Sequence, residues 1–255
     1  MSDSIPVSLF SGGFSESEVS CQWACYGNVG GVSGGRFRQA NIGFHVGDDP
    51  FAVDWNRQRI KENMQARVLL SGHQTHGANI YCQTDLLTDD LEVADCDGFI
   101  TDQPGVGLMI QQADCQAVLC FDPARKLVGA VHSGWRGSVQ NIVAKMINTM
   151  KEKFSSNPVD IMAIISPSLG PCCAEFVNYK KELPADFHKF MIGENHFDFW
   201  QISRAQLIAA GLIDANIQSL DICTSCDENF FSYRRACREA DGKTGRHCSL
   251  IMLED

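Results

Sequence analysis

The segment from Val106 to Phe154 constrains the fold of this 255-residue chain more than any other. It contains three short runs rich in strand-forming residues, Val106–Gln111, Ala117–Phe121 and Leu127–Val131. Between the last two runs, Asp122–Lys126 has a proline directly after an aspartate, which is typical of a turn. The pattern predicts an antiparallel hairpin with this turn at its tip.

The predicted hairpin brings a thiol close to an imidazole. Counting outwards from the turn places Cys115, at the start of one strand, beside His132, at the end of the other, with an uncertainty of one residue in register. A third candidate, His76, lies at a break between the apolar runs Val68–Leu70 and Ala78–Tyr81. Two histidines and one cysteine form a zinc ligand set that leaves the fourth position open. Cys115 and His132 alone also fit a nucleophile–base pair or ordinary core packing.

The rest of the chain mixes helices and strands. Asp49 and Pro50 favour the start of a helix that ends near Met64, and a second helix is expected from Gly137 or Ser138 to Phe154. The second helix carries an apolar stripe of Val139, Ile142, Val143, Met146, Ile147 and Met150. Neither a regular alternation of strand and helix nor a dinucleotide-binding fingerprint is present. The sequence predicts a single α+β domain over residues 1–255, with mixed sheets sandwiched with helices.

Composition excludes several classes of protein. A net charge of −10 argues against general nucleic-acid binding, which needs clustered lysine and arginine. No apolar run approaches the roughly 20 residues of a membrane span, and Met1–Ser4 lacks the features of a signal peptide. We therefore expect a soluble cytoplasmic protein whose 12 cysteines are reduced.

Two further groups are given no metal role. The acidic residues Asp95, Asp97 and Asp102 lack the glycine and terminal glutamate of a calcium loop, so they are interpreted as flanks of a strand. Cys223 and Cys226 form a C-x-x-C pair, but the second pair that a zinc ribbon needs does not follow it. The expected metal content is therefore about one zinc per chain. The adjacent pair Cys172–Cys173 has no visible neighbour that would lower a thiol pKa.

Three segments resemble the signature motifs of a known family: Gln74–Gly77, Ala113–Cys115 and His132–Gly137. The family is the YfiH-type family, also called the laccase-domain or polyphenol-oxidase family, and some bacterial members are called peptidoglycan editing factor. Further similarities follow in order along the chain at Gly30–Ser33, Asn41–Gly43, His45–Asp49, Gly170–Cys173, Phe230–Arg235 and Thr244–Arg246. The resemblance implies that His76, Cys115 and His132 bind zinc in a pocket.

The resemblance also implies a small-molecule substrate. It suggests phosphorolysis of adenosine, inosine or methylthioadenosine, and deamination of adenosine, with zinc activating water or polarising a substrate oxygen. Candidates for holding phosphate are Arg57, Arg136 and Arg235. Arg57 belongs to an Asn-Arg pair that the family shares, although pairing with a carboxylate at the edge of the core fits it equally well. Asp114 could carry a proton or orient a metal ligand.

Other activities fit the same residues. Zinc-activated water could cleave an amide in a cell-wall precursor, and Cys115 with His132 could form a metal-free hydrolase pair. Copper oxidation, which the family's older name suggests, would need roughly ten imidazoles for four coppers, and the chain has seven histidines. A purely structural zinc normally has four protein ligands.

Overall fold

Two mixed six-stranded sheets form the centre of the molecule, in a computed structural model that describes residues 6–16 and 19–254. The segment Met1–Ser4, in which no signal peptide is predicted, lies outside the described residues. The strands are β1 (Ser8–Glu16), β2 (Val19–Tyr26), β3 (Val68–Gly72), β4 (Ile80–Gln83), β5 (Leu91–Val93), β6 (Gly98–Thr101), β7 (Val106–Gln112), β8 (Gln116–Asp122), β9 (Leu127–Ser133), β10 (Met162–Ile165), β11 (Ile217–Ser219) and β12 (His247–Leu253). One sheet has the order β1-β2-β12-β7-β3-β5 and the other β11-β10-β8-β9-β6-β4.

Helices cover the outer faces of both sheets. The α-helices are α1 (Pro50–Asn63), α2 (Trp135–Val139), α3 (Ile142–Phe154), α4 (Tyr179–Glu182), α5 (Phe199–Ala209) and α6 (Tyr233–Glu239). Short 3-10 helices occupy Gly35–Phe37, Phe44–Val46, Pro158–Asp160, Ala185–Phe190 and Asp214–Asn216. None of the described helices combines the length and the apolar character that crossing a bilayer requires.

The layers are helix, sheet, sheet and helix, so the predicted α+β fold is confirmed. Side chains of both sheets, Trp23 and Leu108 from one and Phe121 from the other among them, form the central core. Helix α1 packs on the outer face of the first sheet, and α3 and α5 pack on the outer face of the second. Strands β7, β8 and β9 are buried along nearly their whole length, which explains why they are continuous apolar runs in the sequence.

The predicted start of α1 is also confirmed. Asp49 is the N-cap, its side chain accepts a hydrogen bond from the N–H of Phe51, and Pro50 occupies the first helical position. The hairpin of β8 and β9 is present, with Asp122 paired to Leu127, a shift of one residue that lies within the uncertainty of the predicted register. Ala117 pairs with His132, so Cys115 lies just before β8 and beyond the last strand pair.

The expectation of one continuous helix up to Phe154 is wrong. The chain forms α2 and α3 instead, separated at Asn141, which has a left-handed backbone with φ of 55°. The Asn141 side chain accepts a hydrogen bond from the N–H of Ala144 and so acts as the N-cap of α3. Val139, which belongs to the predicted apolar stripe, lies before this break, and its side chain is 37% exposed. The five other residues of the stripe are buried.

We expect Met146→Ala to lower the free energy of unfolding by about 2–5 kcal/mol, because it leaves a cavity beneath α3. Met146 is fully buried and packs against the second sheet. Val139→Ala is the matched control, and its effect should stay within about 0.5 kcal/mol. Urea unfolding followed by circular dichroism measures both. Equal destabilisation by the two variants would contradict the position of the helix break.

Candidate metal centre

Three potential ligand atoms, one each from His76, Cys115 and His132, lie within 4.8 Å of one another. His76 lies in the loop after β3, Cys115 just before β8, and His132 near the end of β9. The ring centroids of the two histidines are 4.9 Å apart. Among the described residues, no fourth histidine, cysteine or carboxylate joins this group. All three residues line the same cavity, so a metal ion bound here would keep a position open to it.

Asp97 orients one of these ligands. It is fully buried immediately before β6, and the pairing of Gly98 with Val131 places it next to His132. Asp97 Oδ1 lies 2.8 Å from His132 Nδ1. Because a carboxylate can only accept, Nδ1 donates this hydrogen bond and Nε2 is left to face Cys115 and a metal ion.

The same carboxylate also shapes the loop that carries His76. The backbone N–H groups of Thr75, His76 and Gly77 donate to Asp97 at 3.1, 3.0 and 2.9 Å. These bonds hold His76 in a left-handed conformation with φ of 62°, which non-glycine residues rarely adopt. Burial opposes ionisation of Asp97, but the hydrogen bonds from His132, Gly77 and Thr75 lower its pKa below the ordinary value.

Cys115 and His132 form a strongly coupled pair. Burial opposes the thiolate, yet the charge of His132 and hydrogen bonds from His132 and His76 lower the pKa of Cys115 to about 6. Burial likewise opposes the imidazolium, but Cys115 and Asp97 raise the pKa of His132 to about 9. The metal-free site therefore favours a thiolate beside an imidazolium. Zinc would take the place of the imidazolium proton, because cysteine and histidine bind metals in their deprotonated forms.

Gly134 leaves room for the ligand set. A Cβ atom at this position would lie 2.9 Å from His76 Cδ2 and 3.0 Å from Cys115 Sγ. Any side chain here would therefore press against two of the three ligands. These two short distances explain why position 134, after His132 and Ser133, is a glycine.

The cavity above the three ligands has a volume of about 740 Å³. Trp135, Phe176 and Phe199 give it an aromatic wall, in which Phe176 lies 6.3 Å from Trp135 and 5.2 Å from Phe199 between ring centroids. Three arginines also line it: Arg136, Arg234 and Arg246. The site therefore joins a metal-ligand set, an aromatic surface and positive charge.

A family model described as multi-copper polyphenol oxidoreductase laccase matches residues 22–254, nearly the whole chain. The chain belongs to this family. The purine nucleoside phosphorylase YlmD of Geobacillus stearothermophilus is 34% identical over 243 residues, which cover 87% of this chain and 86% of that protein. The purine nucleoside phosphorylase of Bacteroides thetaiotaomicron is 30% identical over 242 residues, which cover 88% of each.

Solved structures confirm the YfiH-like fold. The crystal structure of the Bacillus licheniformis hypothetical protein YfiH matches with a TM-score of 0.83 and 31% identity, over 92% of this chain and 93% of that one. The crystal structure of YlmD from Geobacillus stearothermophilus matches with a TM-score of 0.80 and 29% identity, over 95% and 99%.

Despite the name of the laccase family, the histidines do not suit a four-copper centre. The chain has seven histidines against the roughly ten that such a centre needs. His45 and His73 do line the cavity, with ring centroids 4.7 Å apart, but they are not part of the three-ligand group. The donor set of one thiolate and two imidazoles matches a catalytic zinc site.

The arginines of this laccase-family chain fall into two groups. Arg136 is exposed, and its guanidinium lies 4.3 Å above the Trp135 ring centroid without a hydrogen-bond partner among the described residues. Arg246 donates from Nη1 to the carbonyls of Thr244 and Gly245 at 3.1 and 3.0 Å. Burial lowers the pKa of Arg246, and the charges of Cys115 and Asp114 act in the opposite direction. The third arginine of the cavity, Arg234, donates from both terminal nitrogens to the carbonyls of Cys173 and Glu175. Arg136 and Arg246 are therefore the guanidinium groups available to an anion near the candidate metal site.

Arg57 and Arg235, both predicted to bind phosphate, do not line the cavity. The Arg57 guanidinium is buried, donating to the Ile42 carbonyl at 2.7 Å and to Glu92 at 2.9 Å. The Arg235 guanidinium donates to the carbonyls of Thr224, Ser225, Asp227 and Phe230. Carbonyl and carboxylate oxygens of the protein accept hydrogen bonds from both guanidinium groups. Both side chains therefore stabilise neighbouring loops.

Asp114 also has a structural role, because its carboxylate accepts hydrogen bonds from two other segments of the chain. Its backbone is left-handed, with φ of 85°. Its Oδ1 accepts from Thr224 Oγ1 at 2.8 Å, and its Oδ2 accepts from the N–H of Arg234 at 2.6 Å. With both oxygens engaged by the protein, Asp114 positions Cys115 next to it in sequence and ties it to the start of α6.

We expect Asp97→Asn to weaken zinc binding about 10- to 100-fold, because the amide puts a donor where the loop N–H groups need an acceptor. Competition with a chromophoric chelator measures the affinity. Asp95→Asn is the matched control, since Asp95 bonds to Thr75 and Asn79 but to neither histidine ligand. Unchanged affinity in Asp97→Asn would contradict the role given to this carboxylate.

Proposed function

We propose that this chain is a zinc-dependent purine nucleoside phosphorylase that also deaminates adenosine. One observation carries the proposal: the open ligand set, the aromatic wall and the free guanidinium of Arg136 face one cavity. The names of the relatives, purine nucleoside phosphorylases at 30–34% identity, support the same class of reaction. Adenosine, inosine and methylthioadenosine are the proposed substrates.

The donor set fits zinc. His76, Cys115 and His132 would hold the ion, and Asp97 fixes the ring of His132 by its hydrogen bond to Nδ1. Bound zinc supplies a Lewis acid that polarises an oxygen ligand. The left-handed backbone of His76, held by Asp97, aims this ligand at the other two.

The cavity suits a nucleoside together with phosphate. Its volume of about 740 Å³ falls within the range of roughly 300–1,000 Å³ typical of small-molecule sites. The aromatic wall of Trp135, Phe176 and Phe199 offers apolar surface on which a purine can pack. Arg136 would bind phosphate with its planar fork while stacked on Trp135. In phosphorolysis, a phosphate oxygen attacks the anomeric carbon of the ribose, and the bond to the purine breaks.

A second candidate is a thiol hydrolase. Cys115, His132 and Asp97 are arranged as a nucleophile, a base and a group that orients the base. The third metal ligand, His76, has no role in that mechanism. Removal of zinc by a chelator should therefore abolish the proposed phosphorylase but leave a thiol hydrolase active. Zinc-dependent amide cleavage in a cell-wall precursor remains the alternative for the same metal site.

Single substitutions of the ligands test the metal centre. We expect His76→Ala, Cys115→Ala and His132→Ala each to lower the zinc content by about one ion per chain and to abolish activity on nucleosides. His196→Ala should leave both unchanged, since His196 lies outside the cavity. Elemental analysis gives the metal content, and circular dichroism checks the fold. Full metal and full activity in Cys115→Ala would exclude both the zinc and the thiol mechanisms.

Substitution of Arg136 distinguishes phosphorolysis, which needs bound phosphate, from hydrolysis, which does not. We expect Arg136→Lys to raise the KM for phosphate about tenfold, because lysine keeps the charge but loses the planar fork. Adenosine deamination, which uses water, should change less. Arg238→Lys is the matched control, an exposed arginine of α6 that does not line the cavity.

The assay follows inosine cleavage to hypoxanthine across a phosphate series, beside adenosine deamination. Absence of any phosphate-dependent product with every purine nucleoside would refute phosphorolysis and favour amide hydrolysis. An equal rise in KM for phosphate in both arginine variants would show that Arg136 has no specific contact with phosphate.

A further inference from the structure

Four cysteines converge outside the cavity. The Sγ atoms of Cys172, Cys173, Cys223 and Cys226 all lie within 4.8 Å of one another. The C-x-x-C pair therefore has partner cysteines, although no second pair follows it in the sequence. The partners lie about fifty residues earlier in the chain, at the adjacent pair after Pro171, and not later as in a zinc ribbon.

The spacing of the sulfurs suits a single metal ion. Cys226 Sγ lies 3.7 Å from Cys172 Sγ and 3.5 Å from Cys173 Sγ. A tetrahedron with Zn–S bonds of about 2.3 Å has edges of about 3.8 Å. A disulfide needs about 2.05 Å between sulfurs. A cluster of several irons separates its thiolates more widely, since each binds a different iron.

The C-x-x-C segment forms a tight turn. The N–H groups of Cys226 and Asp227 both donate to the Cys223 carbonyl, at 3.1 and 3.0 Å. The turn thereby directs both of its sulfurs to the same side.

The two cysteine turns are held in close contact. A Cβ atom at Gly170 would lie 2.8 Å from Cys223 Cβ, so this position needs glycine. The Thr224 N–H donates to the Ser168 carbonyl at 2.9 Å. Arg234 donates to the Cys173 carbonyl at 2.6 Å, and Arg235 donates to carbonyls of the Cys223–Cys226 turn. Their positive charges lie beside a group that would carry a net charge of about −2 as a zinc tetrathiolate.

We propose that Cys172, Cys173, Cys223 and Cys226 bind a second zinc ion in a closed, structural site. Binding displaces the thiol protons to solvent, and all four positions of the ion are filled by protein, so none is left for a substrate. The ion joins the segment 168–176 to the segment 223–235. Ser168, Phe176 and Arg234 from these segments line the cavity, so the second zinc holds one of its walls. The chain then carries two zinc ions in place of the one expected from the sequence.

Metal counting needs no nucleoside assay, and the difference in zinc content between the wild type and a cysteine variant reports on the cluster alone, whether or not the histidine site is filled. The full chain, purified under reducing conditions, should contain two zinc ions by elemental analysis. Cys172→Ser with Cys226→Ser should contain one, retained by the histidine site, and should melt at a lower temperature than wild type. These two cysteines are exposed, and Cys237→Ser, an exposed cysteine outside the cluster, is the matched control and should keep both ions.

A second measurement does not depend on the folding of the double variant. X-ray absorption at the zinc edge of His132→Ala, which retains the cysteine cluster, should show four sulfur neighbours at about 2.3 Å. A zinc content that is the same in the wild type and in the cysteine double variant, iron in place of zinc at the cluster, or nitrogen neighbours of zinc in His132→Ala would each overturn the proposal. A disulfide among these four cysteines, found by mass spectrometry of the freshly purified chain without added reductant, would also overturn it.

Discussion

The hydrogen bonds of one buried carboxylate, Asp97, determine the geometry of the candidate metal centre. It accepts from His132 Nδ1 and from three consecutive backbone N–H groups of the loop that carries His76. A carboxylate in the interior is stable only when its oxygens are hydrogen-bonded, and these four donors meet that need. In return, Asp97 fixes the ring of one ligand and the backbone of another. The third ligand, Cys115, is placed independently of Asp97, between the hydrogen-bonded Asp114 and the start of β8.

Local patterns predicted the elements and the proximity of Cys115 to His132 in one hairpin, but not the contacts between elements farther apart in the chain. Helix α1 and the β8–β9 hairpin follow from a capping residue, a turn and apolar runs, all within a few residues of each other. Asp97 acts through the pairing of β6 with β9, which depends on which strands become neighbours in the sheet. The two cysteine pairs meet for a similar non-local reason. In α3, one asparagine in a left-handed conformation was enough to break a helix that apolar periodicity alone had extended.

Sequence also does not tell which arginines can bind an anion. Arg57 and Arg235 have their guanidinium donors occupied by carbonyls and, for Arg57, by Glu92. Arg136 stacks on Trp135 and leaves its donors open to the cavity. These arginines differ in the number of carbonyl and carboxylate oxygens of the protein that accept hydrogen bonds from the guanidinium group. A resemblance between motifs transfers residue types to a chain, but these acceptors come from loops that meet only in the folded protein.

The two candidate zinc sites differ in their ligands and in whether a coordination position is open, as a catalytic and a structural zinc site do. The histidine site is open and mixes nitrogen with sulfur, whereas the cysteine cluster has four thiols and no open position. Asp114 connects them, because it precedes Cys115 and bonds to Thr224, inside the C-x-x-C turn, and to the N–H of Arg234. A shift of that turn would therefore act on Asp114, the residue next to the candidate metal ligand Cys115. A zinc ion that held the cysteine cluster rigid would therefore also help to hold Cys115 in position, because Asp114 links the two.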